Sequence, residues 1–65
     1  MADFLDRLRV EHTQLTERLI KLDVFIESIP FEQLPAEDRT DLRLQRFYMQ
    51  NYAFILKKRI TRLST

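Results

Sequence analysis

The sequence has no cysteine and no glycine, and only two of its residues are proline. Without cysteine there is neither a disulfide framework nor a thiolate metal site. Without glycine no position has cheap access to positive φ, which the commonest tight β-hairpins require, so strand-turn-strand architectures are disfavoured. The missing glycine also removes any glycine-rich phosphate loop. Charge of one sign is lacking too: eleven Lys and Arg stand against ten Asp and Glu, a net charge of +1. A surface wholly committed to nucleic acid or anionic lipid would carry far more positive charge. The N-terminus is interrupted by Asp3, Asp6, Arg7 and Arg9, whereas an export signal needs roughly 7–15 uninterrupted apolar residues. A cytoplasmic protein that does not enter a membrane is expected.

What is present is a chain of 65 residues, 45% hydrophobic and 32% charged. That is too apolar for a disordered tail and too charged for a membrane span. Near 60 residues a domain buries only about 60% of the surface its unfolded chain exposes, and such chains usually need disulfides, metals or partner subunits. With the first excluded, self-association is the expectation.

Apolar residues recur at Met1, Leu5, Leu8, His12, Leu15, Leu19, Leu22, Ile26 and Ile29, at alternating spacings of four and three. This is a heptad seam interrupted only by His12, and it predicts a first helix over 2–28. Pro30 should end it, because proline inside a helix costs about 3 kcal/mol. Residues 29–35 then form the connection, in which Phe31 and Leu34 are spaced as in one short helical turn and plug the open end of the helix pair. Pro35 is suited to the first position of a second helix over 36–63, with Glu37 and Asp38 complementing its dipole. Leu42, Met49, Ala53, Leu56, Ile60 and Leu63 continue the rhythm and should face the first helix. The expected fold is all-α: one domain over 1–65, an antiparallel two-helix hairpin assembling into a homo-oligomeric helical bundle.

The second helix carries more apolar surface than one neighbour can cover. Leu44, Tyr48, Tyr52 and Ile55 widen its apolar arc to roughly half the circumference, and Phe47 and Phe54 lie on yet another side. A connected patch of this kind commonly marks an interface. These six residues are the candidate interaction surface, first for a two-fold dimer forming a four-helix bundle, with Phe47 and Phe54 left over for another protein.

Charge is unevenly distributed: residues 1–34 hold seven acids against four bases, and residues 35–65 three acids against seven bases. The simple reading is that Asp3 and Asp6 begin one helix while Lys57, Lys58, Arg59 and Arg62 end the other, each set matching its own dipole. The functional alternative is a basic face of Arg43, Arg46, Lys57, Lys58 and Arg62, with Tyr48 and Phe54, that contacts RNA or DNA. A further alternative is a sponge for a small signalling nucleotide, held between subunits by His12, Tyr48 or Arg59. His12 alone makes no metal site, because no second ligand stands at matching spacing. No metal or other cofactor is expected. Catalysis has little support: Ser28 and Ser64 lack an accompanying base, and Glu37, Asp38 and Asp41 read as a solvated first turn.

The set Arg7, Glu11, Leu15, Arg18, Lys21, Leu22, Phe25, Ile26 and Ser28, then Phe31 and Leu34, then Leu42, Gln45, Met49, Tyr52, Ile55, Leu56, Arg59 and Ile60 resembles short accessory proteins of tailed bacteriophages and prophages. Among these are a family related to a crAss-like phage protein and the small reading frames of the lambdoid exo-xis region. The resemblance implies a non-enzymatic regulatory protein, made early, that acts by binding and modulates host takeover or the lysis-lysogeny choice. It supplies no catalytic residues.

Overall fold

The structure, a computed structural model, describes residues 3–64; the seam position expected at Met1 lies outside them. Three helices follow in order: α1 (Asp3–Ile26), α2 (Ile29–Glu32) and α3 (Ala36–Ser64). No strand occurs among the described residues. The long helices lie side by side in a rod of 48 × 14 × 14 Å. No helix among these residues is long and apolar enough to cross a membrane.

The heptad seam does what its spacing requires over most of α1. Leu8 and Leu15 are buried against Leu56 of α3, with Met49, Ala53 and Ile60 packed around them. Leu5, His12, Leu19, Leu22 and Ile26 are half-buried beside that centre. Ile29, assigned to the same seam, is instead 70% exposed. The helix expected to run to residue 28 stops at Ile26, because Ser28 takes an extended conformation (φ −96°, ψ 159°) to cap α2. The Ser28 hydroxyl accepts the Phe31 N–H at 3.4 Å and donates to the Phe25 carbonyl at 2.5 Å. One side chain thus closes the end of α1 and opens α2, an N-cap of a kind that stabilises by about 1 kcal/mol. Pro30 therefore sits in the first turn of α2, where its missing N–H costs nothing. It does not end α1.

The connection that the sequence reads as 29–35 contains this extra helix, whose Phe31 is only 2% exposed. Phe31 plugs the end of the helix pair at the connection, with Phe25 edge-on to its ring at 6.0 Å and the Arg43 guanidinium 5.0 Å from its centroid. Pro35 falls one position before α3 and not inside it. Its carbonyl accepts the Arg39 N–H at 3.1 Å, so it occupies the cap position without a capping side chain. Leu63, expected in the core, is 49% exposed at the far end of α3, beyond the reach of the α1 residues that cover Leu56.

Candidate functional site

Leu56 is completely buried and fixes the direction in which α3 faces α1. Every other α3 residue then has a place, at 100° per residue around the helix axis. Leu44, Tyr48, Tyr52 and Ile55 fall on one flank of the hairpin, and Phe47 and Phe54 on the side turned away from α1. All six are exposed, between 45% and 62%. Tyr48 and Phe47 touch edge-to-face across the boundary between the two surfaces, with ring centroids 5.6 Å apart.

The two flanks of the hairpin differ in kind. One is polar: Asp23 of α1 pairs with Arg46 of α3 at 3.7 Å, and Arg9 donates to the Ser64 hydroxyl at 3.3 Å. The other carries the exposed aliphatic and tyrosine residues of α3, with Arg59 standing 5.7 Å from the Phe4 ring centroid near the open end. His12 lies on the polar flank, while Tyr48 and Arg59 lie on the apolar one. Within a single chain these three residues share no surface, and the pocket expected from the sequence, being one between subunits, needs a second chain to form.

The residues of the proposed basic face spread over about 160° of α3 at 100° per residue. Arg46 is committed to Asp23 and Arg43 lies over Phe31. Lys58 stands 5.4 Å from the centroid of Phe54, and Lys57 and Arg62 lie to either side of it. Phe54, Lys57, Lys58, Thr61 and Arg62 together make a shallow basic and aromatic surface on the last turns of α3. A cation over a ring is worth about 0.5–1 kcal/mol when exposed, which favours the contact of Lys58 with Phe54 without fixing it.

The sequence reading missed a row on α1. Val10, Ile20 and Val24 are all more than half exposed on the side away from α3, where the seam pattern draws no attention to them. Scattered aliphatic residues of this sort are ordinary on a protein surface. No cluster of three or more His, Cys, Asp or Glu suited to holding a metal ion occurs among the described residues.

The family model described as Sequestin matches residues 2–62, nearly the whole chain. No curated protein matches it. No solved structure does so either.

Proposed function

The chain belongs to the Sequestin family, a group of small phage-associated proteins, and from that premise we propose that it acts without catalysis, as a homo-oligomeric accessory protein that takes a partner out of circulation by binding it. The family's name denotes holding apart, which agrees with stoichiometric capture. The observation that carries the reading is the outward side of α3. Phe47 and Phe54 are 57% and 59% exposed there, in a position that no packing within the hairpin can cover. Lys57, Lys58 and Arg43 border them. Aromatic anchors inside a charged rim are the usual composition of a protein-binding patch, and the positive rim selects an acidic partner surface. In a phage setting the partner is a host or phage protein, and its removal modulates host takeover or the choice between lysis and lysogeny.

A second reading, capture of a small phosphorylated signalling nucleotide, is supported by the pairing of cations with rings near the open end of the hairpin. Lys58 over Phe54 and Arg59 over Phe4 each combine a phosphate-binding charge with a flat apolar platform, the two features a nucleotide needs. Binding of RNA or DNA has less support, because the net charge is only +1 and Arg46 is paired with Asp23.

The double variant Phe47→Ser/Phe54→Ser tests the first reading. It should keep its helicity and its mass in solution while losing a protein that the unaltered chain captures at fixed stoichiometry from infected or lysogenic cells. Retention of that protein by the double variant would dismiss the outward side of α3 as its site. A thermal-shift series with cyclic nucleotides tests the second reading, since a ligand at a hundred times its dissociation constant adds about 2.7 kcal/mol. No shift with any nucleotide would remove it.

A further inference from the structure

On the apolar flank of α3 lie Asp41, Leu44, Tyr48, Tyr52, Ile55 and Arg59, all within about 80° of arc at 100° per residue. Their order along the helix is self-complementary about a point near residue 50. Moving outward from that point in both directions, tyrosine stands against tyrosine, aliphatic against aliphatic, and acid against base.

We propose that this flank binds a second copy of the chain, by antiparallel pairing of the two α3 helices about a two-fold axis near residue 50. Asp41 then faces the partner subunit's Arg59, Leu44 faces the partner subunit's Ile55, and Tyr48 faces the partner subunit's Tyr52. A two-fold axis across an antiparallel helix pair sets positions equidistant from it opposite one another. In each of these pairs the two residue numbers average to about 50, within the rise of one residue, about 1.5 Å. One axis therefore serves all three.

Charge selects this arrangement over its alternatives. Parallel pairing along the same flank would set Asp41 against its own copy and Arg59 against its own, and like charges across an interface are unfavourable. Among the described residues no cation of the same chain pairs with Asp41. The opposite flank already uses its charges internally, through Asp23 and Arg46, so it has little to offer a second copy. The pairing also supplies what a chain of this length lacks. Among the described residues only Leu8, Leu15, Phe31 and Leu56 are buried, and pairing two α3 flanks adds a second apolar layer and completes a four-helix bundle. The inference rests on the self-association in the proposed function and specifies its surface and register.

Cross-linking tests it directly, because the chain has no cysteine of its own. Tyr48→Cys and Tyr52→Cys are made separately and mixed in equal amounts under mild oxidation, with Phe47→Cys mixed with Phe54→Cys as the control on the outward side. Linked dimers should form roughly tenfold faster in the first mixture, because the interface raises the effective concentration of the two thiols. Circular dichroism checks that each variant is helical, and light scattering on the unaltered chain gives its mass. A lone chain at every concentration overturns self-association itself. A dimer that cross-links faster through 47 and 54, or through neither pair, overturns only the choice of flank. Charge reversal gives an independent reading. Asp41→Arg and Arg59→Asp should each weaken the dimer about tenfold, and the two together in one chain should restore it. A double variant weaker than either single one would overturn the register.

Discussion

Replacing Leu56 with alanine should remove most of the folding free energy of this protein. Leu56 is completely buried and is the α3 residue on which Leu8 and Leu15 converge. Truncating a leucine at such a position costs about 2–5 kcal/mol, the sum of lost transfer energy and the cavity left behind. A single core in a chain this short rarely supplies more than about 3–5 kcal/mol. The two quantities are comparable, so the variant should lose most of its helical circular dichroism at room temperature and low concentration. Met49, Ala53 and Ile60, packed around Leu56, can relax only partly into the space. An unchanged melting temperature would show that the hairpin draws its stability from elsewhere.

The adjacent residue should behave differently. Ile55 is one position and 100° away from Leu56, which places it 48% exposed on the apolar flank. Ile55→Glu leaves the hairpin core untouched and adds a charge to the surface assigned to self-association. An interface with two-fold symmetry buries that charge twice, opposite an aliphatic residue each time. Burial of an uncompensated polar group costs about 1–3 kcal/mol by mutational measures, so the dissociation constant should rise roughly a hundredfold or more. Light scattering at micromolar concentration should report a lower mass than for the unaltered chain, while helicity persists at concentrations that keep the hairpin folded. A soluble, fully helical variant of unchanged mass would place the interface on another surface.

These two neighbours show what periodicity in the sequence can and cannot convey. The seam from Leu5 to Ile26 and its counterpart from Leu42 to Ile60 identify two long helices. The rank of Leu56 as a core residue follows from the same spacing. The surplus apolar surface at Leu44, Phe47, Tyr48, Tyr52, Phe54 and Ile55 was also legible, since no helix pair can cover so wide an arc. Phe31 was legible as a plug because proline on either side of the segment confines it to the connection.

What escaped the sequence depends on contacts between elements. The end of α1 at Ile26 follows from Ser28 serving as a cap for a four-residue helix, and a helix that short has too few positions to show a period. The ion pair of Arg46 with Asp23 and the contact of Arg43 with Phe31 join residues far apart in the chain and leave no trace in the spacing of either helix. Helical spacing gives each residue an angle about its own axis, so the sequence by itself determined two amphipathic rods, their antiparallel order and an excess of exposed aromatic and aliphatic surface. The same spacing indicated that Leu8, Leu15 and Leu56 face inward; only the packing of α1 on α3 paired the flanks, setting Asp23 against Arg46 on one side and Phe4 against Arg59 on the other. That matching depends on how the two rods lie alongside each other, fixed by burying Leu8 and Leu15 against Leu56, residues more than 40 positions apart, which spacing within either helix does not specify.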